Sequence, residues 1–251
     1  MRTRVHSLHS PDAELDEFAP PDPRDAQLLV QVLAGVRLAA GSDDPEGEES
    51  FDLRVITPRA AQRRLREQDR PLVGRHLVIV DQWDYPTIAA YLFERFESEE
   101  GADWDDLGTR LNRFGRWEFE DFDESRNSWD IPPGVGAAVR SLTVAGRNLA
   151  DFAPPDQRDF RVPVQARIAA VKGAGEGTFT VEVCTPPALE RRVRSEGIIL
   201  GEHLLIVDHW DTAAITAAVT RMFQSQDGAT WSEVADRLAR YGAPEPESGS
   251  I

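Results

Sequence analysis

The chain contains two closely similar stretches of sequence, His76-Leu-Val-Ile-Val-Asp-Gln-Trp-Asp84 and His203-Leu-Leu-Ile-Val-Asp-His-Trp-Asp211. In both stretches four aliphatic residues follow the histidine, which predicts a short buried strand, and the closing Trp-Asp predicts the turn into a helix. The two stretches lie 127 residues apart. That distance is the size of a domain, so the chain is predicted to hold two tandem homologous domains and no solenoid.

The repeat extends towards the N-terminus of each stretch. Phe18-Ala-Pro-Pro-Asp22 returns as Phe152-Ala-Pro-Pro-Asp156, and Thr57-Pro58 returns as Thr185-Pro186. The distance between matched residues falls from 134 to 127 along the chain, which places extra residues of the first copy in the acidic loop Gly41–Ser50. We therefore predict three segments: a first copy at 1–130, a linker at 131–138 and a second copy at 139–251.

Each copy predicts the same order of elements, β-β-β-α-β-α-α. In the third strand Phe51, Leu53 and Val55 alternate with polar residues and so share one face. The Thr-Pro pair that follows is typical of a helix N-cap with proline at the first helical position. Thr230-Trp-Ser-Glu233 predicts a capping box, with Asp103-Trp-Asp-Asp106 as its acidic counterpart. The fold class predicted for each domain is α+β, a mainly antiparallel sheet with helices packed on one side.

Charge limits the class of ligand. The 251 residues include 44 acidic and 28 basic side chains, for a net charge of −16, which argues against nucleic acid and an anionic membrane as direct partners. No apolar run approaches the ~20 residues that cross a bilayer, and the polar start of the chain does not resemble a secretory signal. The single cysteine, Cys184, excludes an internal disulfide and fits a cytoplasmic location.

An enzyme would have to use the repeated histidine and aspartates. Asp81 and Asp84 follow a buried strand, where carboxylates can bind a metal, but Asp84 is predicted to cap the next helix. His76 has no cysteine or second histidine at metal-ligand spacing and no recurring nucleophile beside it. Cys184 is matched by Ile56 in the first copy, which indicates a core thiol. We therefore predict no catalytic residue, no cofactor and no metal site.

The acidic side chains are unevenly shared between the copies. Residues 1–136 hold 29 acidic and 16 basic side chains, a net of −13, whereas residues 137–251 hold 15 and 12, a net of −3. In the first copy carboxylates surround aromatic side chains, which is typical of a surface that binds a basic protein, although a solvated acidic face is the alternative. The predicted contact residues are Glu97, Glu99, Glu100, Asp103, Asp105, Asp106, Trp117, Glu118, Phe119, Glu120, Asp121, Phe122, Asp123 and Glu124.

At these residues the chain resembles the immunity protein 8 family of bacterial polymorphic toxin systems. The resemblance covers the C-terminal two-thirds of each copy and rests on four motifs in order: Phe-x-x-x-Val-x-Thr-Pro, Gly-x-His-x-Leu/Val-Ile-Val, x-Trp-Asp and Gly-x-x-Trp. The first copy also has the family-like ending Arg116-Trp-Glu-Phe-Glu-Asp121, which the second copy replaces with Ala243-Pro-Glu-Pro-Glu247. If this ending contacts a partner, the second copy has lost that role.

The resemblance implies a cytoplasmic antidote without catalysis that binds and neutralises a cognate toxin domain. Many toxins of these systems are nucleases with basic channels, so an acidic inhibitor fits such a partner. Two alternatives stay open from the residues alone. One is a protein-binding adaptor, unrelated to toxins, built from the two repeats, and the other is an enzyme that uses Asp81, Asp84 and His76. The sequence indicates no oligomeric state.

Overall fold

The structure is a computed structural model that describes residues 1–36, 48–122 and 134–246. The strands described in the first copy are Thr3–His9 (β1), Gln27–Val36 (β2), Glu49–Ile56 (β3), Leu72–Val73 (β4), Leu77–Ile79 (β5) and Arg116–Trp117 (β6). Its helices are Pro58–Gln68 (α1), Tyr85–Glu97 (α2) and Trp104–Leu111 (α3).

The second copy repeats this order of elements and adds two two-residue strands and a 3₁₀ turn. Its strands are Val135–Val144 (β7), Arg147–Asn148 (β8), Arg161–Ala170 (β9), Glu176–Cys184 (β10), Ile199–Leu200 (β11), Leu204–Ile206 (β12), Asp227–Gly228 (β13) and Ala243–Pro244 (β14). Its helices are Pro186–Glu196 (α4), Thr212–Gln224 (α5) and Trp231–Leu238 (α6), with a 3₁₀ turn at Leu149–Asp151. Because β7 begins at Val135, the last four residues of the predicted linker, 135–138, lie in a strand.

The chain divides into two compact units that are not continuous in sequence. Unit 1 consists of Met1–Ala60, His76–Glu120 and Arg192–Gly201. Unit 2 consists of Ala61–Arg75, Asp121–Arg191 and Glu202–Ile251. Each unit thus contains a segment of the other sequence copy. The division at 1–130, 131–138 and 139–251 refers to the copies and stays a prediction.

Unit 1 is a sheet in the order β1-β2-β3-β5-β11, with β6 also paired to β3. Its pairings are antiparallel except for β3 with β5, so the sheet is mainly antiparallel, as predicted. The expected common face of Phe51, Leu53 and Val55 is confirmed, because all three side chains are fully buried. The residues of α2 and α3 in the same core are Ile88, Leu92, Phe96, Leu107 and Leu111.

Unit 2 has the corresponding sheet in the order β13-β7-β9-β10-β12-β4, with β14 on β10 and β8 on β7. Again one pairing, β10 with β12, is parallel. Its core combines the buried face of β9 and β10 with α5 and α6. Both units therefore have the α+β fold expected from the sequence. Among the residues that the structure describes, no helix is both long and apolar enough to cross a lipid bilayer.

Side-chain caps explain where the helices begin. The Thr57 hydroxyl accepts a hydrogen bond from the Ala60 amide at 3.4 Å and also bonds to Ala26, which ties the start of α1 to the start of β2. Thr185 makes the matching bonds to Phe160 before α4. The predicted Thr-Pro helix starts are thus confirmed, and each helix start is fixed to the sheet.

Candidate functional site

Trp117 lies at the centre of an aromatic group in unit 1. Its ring stacks on buried Phe51, with centroids 6.4 Å apart and planes 12° from parallel, and its other neighbour Phe119 packs edge-on at 6.0 Å. The indole also lies against Gly108 of α3. Trp117 is half-buried, and Phe119 is 36% exposed. The pair therefore offers aromatic surface to solvent on a rigid support.

Glu49 places a carboxylate against this group. It accepts hydrogen bonds from the indole N–H groups of Trp117 and Trp104. Burial raises the pKa of the Glu49 carboxyl above its ordinary value of 4.5, the two indoles act in the opposite direction, and the negative charges of Glu118 and Asp105 raise the pKa further. We call Glu49, Trp104, Asp105, Trp117, Glu118 and Phe119 the acidic–aromatic cluster.

Glu118 is fixed to the strand that begins at Glu49. Its Oε1 accepts a hydrogen bond from the Ser50 amide at 2.6 Å, and its own amide donates to the Ser50 carbonyl at 3.2 Å. Asp105, in the first turn of α3, is exposed. The fold thus brings Asp105, Trp117, Glu118 and Phe119, all predicted contact residues, to one place.

Glu49 and Trp104 are members of the cluster that the sequence reasoning missed as contact residues. Glu49 belongs to an acidic run that looks like a loop, yet β3 begins there. The available signal was the comparison between copies, because Gly177 occupies the matching position in the second copy.

The second copy lacks most of this cluster. Gly177 stands in place of Glu49, Ser232 in place of Asp105 and Pro244 in place of Trp117. The backbone is nevertheless conserved between the copies, since Trp117 lies opposite Phe51 in the same register as Pro244 opposite Phe179. The acidic and aromatic side chains that only the first copy has therefore lie on a backbone that both copies share.

Two of the predicted contact residues cap a helix. The Asp103 carboxylate accepts from the Asp106 amide at 2.9 Å, and Asp106 accepts from the Ala102 amide at 2.9 Å. Asp106 also bonds to Arg110 at 3.0 Å, and this bond is the main reason why the pKa of Asp106 is lowered. The acidic capping box is thus confirmed, and the Thr230–Glu233 box has the same bonds.

Glutamates near the end of α2 also have partners within unit 1. Glu97 accepts a hydrogen bond from the Val5 amide at 3.2 Å, and the Glu99 carbonyl accepts from the Thr3 amide at 3.3 Å. Glu100 forms an ion pair with Arg2. These bonds connect α2 and the residues after it to β1 and to the residue before it.

The last predicted contact residues differ in their placement. Asp121 belongs to unit 2, where it pairs with Arg240 at 3.0 Å and with Arg237 at 3.6 Å. Glu120 and Phe122 are half-buried. The other two predicted contact residues, Asp123 and Glu124, lie outside the described residues.

The repeated histidines have a structural position. His76 and His203 adopt left-handed backbone conformations, with φ of 61° and 58°. The Nε2–H of His76 donates to the Asn112 carbonyl at the end of α3 (2.8 Å), and that of His203 donates to the Ala239 carbonyl at the end of α6 (2.9 Å). Each imidazole thus satisfies a helix C-terminus.

The repeated aspartates also have partners. Asp211 caps α5 as predicted, because it accepts from the Ala213 and Ala214 amides at 2.9 and 3.0 Å. Asp84 stands at the N-cap of α2, but its carboxylate accepts from the Thr87 hydroxyl at 2.7 Å and from no amide of the helix, which corrects the predicted bond. Asp81 lies 3.4 Å from Arg194.

The repeated tryptophans hold the Pro-rich loops. Phe18 packs edge-on against Trp83 at 4.8 Å, and Phe152 packs against Trp210 at 5.3 Å. The Trp83 amide also donates to the Pro23 carbonyl at 2.7 Å. The recurrence of Phe-Ala-Pro-Pro-Asp and Trp-Asp therefore reflects one packing contact, made in both units.

Unit 2 has a groove and a smaller cavity beside α5. A groove of about 480 Å³ includes Pro71, Val73, Met222 and Tyr241 in its lining. A smaller cavity of about 100 Å³ adjoins Asp208 and Asp211, whose carboxylates are engaged by Arg66 and by the start of α5. Across residues 1–36, 48–122 and 134–246, no three His, Cys, Asp or Glu side chains are grouped to hold a metal ion.

Comparison with known families gives a match over both copies. The family model described as Immunity protein 8 matches residues 3–122 and again residues 137–248. The chain belongs to the Immunity protein 8 family. The match extends over the first strands of each copy, where the motifs were least distinct, and over the altered ending of the second copy. No curated protein and no solved structure matches the chain.

Membership in this family accounts for the repeated elements. The two matched regions correspond to the two tandem copies inferred from the sequence. The motifs that carry the resemblance include the Thr-Pro helix starts, the histidines that bond to helix C-terminal carbonyls, and the tryptophans that pack against Phe18 and Phe152. The acidic–aromatic cluster is instead specific to the first copy, which sets it apart from the shared scaffold.

Proposed function

We propose that the chain is an immunity protein that binds a cognate bacterial toxin domain directly and blocks it through the acidic–aromatic cluster. The observation that supports this site is the raised pKa of Glu49, held between two indoles with Asp105 and Glu118 nearby. Like charges grouped around partly buried rings destabilise an isolated protein, and titratable groups perturbed in this way concentrate at functional sites. A cationic partner removes that repulsion.

The rings and the carboxylates have different roles in this proposal. Phe119 and the exposed edge of Trp117 are the anchors, since large aromatic side chains at the centre of an interface contribute most of its binding free energy. Asp105 and Glu118 accelerate the encounter with a basic surface and set its orientation. The predicted contact residues that cap α3 or pair within the units support this surface without forming its centre.

The charge of the first copy suggests the class of toxin. A nuclease needs a basic channel to hold the phosphates of its substrate. An acidic face that enters such a channel excludes the nucleic acid and has long-range attraction for the toxin. We therefore propose a basic toxin domain, with a nuclease as the leading case, neutralised in the cytoplasm of the bacterium that makes the chain.

The first experiment is co-expression with the toxin domain encoded beside this gene. Rescue of growth together with a complex that co-purifies supports the proposal. Rescue without a complex would overturn the mechanism of direct binding, and failure to rescue would overturn the function. A complex with a cellular protein other than a toxin would instead favour the adaptor hypothesis.

The second experiment locates the surface by stopped-flow association. Asp105→Asn with Glu118→Gln should slow association by roughly three- to tenfold at low salt and much less at high salt. The matched control is Asp236→Asn with Glu245→Gln, which removes the same number of charges from α6 and from the residue after β14 in the second copy. Equal slowing by the control would move the site away from the cluster.

Phe119→Ala tests the aromatic anchor. We expect faster dissociation, corresponding to a loss of about 1–2 kcal/mol of binding free energy, with an association rate close to that of the wild type. Wild-type dissociation would show that the ring lies outside the interface.

A further inference from the structure

Each compact unit contains one segment from the other sequence copy. Unit 1 includes Arg192–Gly201, and unit 2 includes Ala61–Arg75. Both segments hold the end of the helix after Thr-Pro and the two-residue strand that follows it, β11 in unit 1 and β4 in unit 2. The two copies thus contribute the same element to each other's unit.

In unit 1 this segment forms the edge of the sheet. Ile199 lies opposite Ile79 and Leu200 lies opposite Val78, in an antiparallel pairing of β11 with β5. Ile198 and Leu200 also pack against the apolar core of the unit. The segment from the second copy therefore completes both the sheet and the core of unit 1.

Unit 2 contains the same arrangement with the copies interchanged. Val73 lies opposite Leu205 and Leu72 opposite Ile206, in the antiparallel pairing of β4 with β12. The matching backbone bonds run from the Gly201 amide to the Leu77 carbonyl at 2.8 Å and from the Gly74 amide to the Leu204 carbonyl at 2.7 Å. The matching ion pairs are Arg194–Asp81 at 3.4 Å and Arg66–Asp208 at 3.5 Å.

The chain is long enough for β4 to pair with β5 of its own copy. Only Gly74, Arg75 and His76 separate β4 from β5 in sequence, and a three-residue loop is long enough for a hairpin. In a hairpin whose loop has four residues and includes Leu77, Val73 would lie opposite Val78, in the place that Leu200 occupies. Exchange of a homologous element replaces one set of contacts by a similar set, so it costs little contact energy. Covalent linkage of the copies further favours it by raising their effective concentration.

We propose that the two copies of this chain are each other's folding partners, bound by mutual exchange of residues 61–75 and 192–201. The surface that receives residues 192–201 is the edge of β5, and its partner is the second copy of the same chain. This inference is independent of toxin binding.

The register provides a direct test in the full chain. The Gly201–Leu77 bond makes Leu200 and Val78 a non-hydrogen-bonded pair, in which the Cα atoms lie about 4.5 Å apart, a separation that a disulfide bridges. The experiment uses Val78→Cys with Leu200→Cys and a protease site placed between residues 123 and 133. After oxidation and cleavage, we expect the two halves to stay covalently joined on a non-reducing denaturing gel.

The control pair is Val73→Cys with Val78→Cys, which would form a disulfide only in the hairpin within one copy. We expect this variant to separate into two halves and to keep both thiols free. The single Val78→Cys variant tests whether Cys184 contributes a bond. Separation of the Val78–Leu200 variant into halves, or a disulfide between positions 73 and 78, would overturn the exchange. If the first variant does not fold, Val73→Cys with Leu205→Cys makes the same test in unit 2.

Discussion

The indole of Trp117 lies so close to Gly108 that a Cβ built on this glycine would come within 2.9 Å of the ring. Gly108 is buried in α3, where glycine is an unfavourable residue, so its presence reflects the room that Trp117 requires. The second copy has Ala235 and Pro244 at the two matching positions. The small helix residue and the large ring therefore occur together in one copy and are both absent from the other.

Gly108→Ala should lower the free energy of unfolding by about 1–2 kcal/mol, because the clash with the ring outweighs the gain in helix propensity. In a Trp117→Ala background the same change should instead raise stability by about 0.5–1 kcal/mol, since the clash is gone. Urea denaturation of the four proteins checks this. An effect of the same sign in both backgrounds would contradict the proposed contact.

Glu49→Gln should stabilise the protein at neutral pH, because the half-buried carboxylate no longer has to ionise. The folded pKa of Glu49 lies above its ordinary 4.5, so the folded state binds more protons between these two values. The stability contributed by this group is then present below pH 4.5 and is lost as the pH rises through the folded pKa. The advantage of the glutamine variant should therefore grow with pH across that window.

Urea denaturation of both proteins at several values between pH 4 and pH 7 measures this difference. Asp236→Asn, which removes one exposed negative charge from α6, is the control for a general change in net charge. A pH-independent difference between wild type and Glu49→Gln would show that the carboxyl is not perturbed by folding.

Asp103→Ala should lower the free energy of unfolding by about 1 kcal/mol through the loss of the cap on α3. Thr230→Ala, the matching change before α6, should have a similar effect because its hydroxyl makes the same bond to the third helical residue. Asp105→Ala should change stability by less than about 0.5 kcal/mol, since the side chain is exposed. Thermal or urea denaturation ranks the three variants, and a larger effect at Asp105 would contradict these assignments.

His76→Ala should lower the free energy of unfolding by about 1–3 kcal/mol, because it removes the bond to the Asn112 carbonyl and leaves alanine in a left-handed conformation. His76→Gly should cost less, since glycine adopts that conformation without strain. Denaturation curves separate the two contributions. If both variants were as stable as the wild type, the histidine would have to be retained for another reason.

Local sequence patterns predicted the parts of the fold that depend on neighbouring residues. The alternation of Phe51, Leu53 and Val55 located the buried face of β3, and the Thr57-Pro58 pair located the start of α1 to the residue. The Asp103–Asp106 box was readable because its donors and acceptors lie within four residues. The order of helices and strands along each copy could be predicted from such signals.

The exchange of β4 and β11 was not predicted, because a two-residue strand has no periodicity and its partner lies more than 100 residues away. The cluster was predicted only in part for a similar reason. Asp105 and Trp117 were identified from the acidic run, whereas Glu49 meets them only after β3 pairs with β6. Asp121 was assigned to the same surface by sequence proximity, although its partners Arg237 and Arg240 come from the other copy.

The position of β11 in unit 1 has a consequence for synthesis of the chain. A ribosome releases the chain from its N-terminus, so the last strand of unit 1 emerges only after Leu200 has been made. At about 5–20 residues per second, roughly 4–16 seconds pass between the completion of Glu120 and that moment. During this interval the edge of β5 has no partner from the second copy, and the unit that holds the acidic–aromatic cluster matures late in translation.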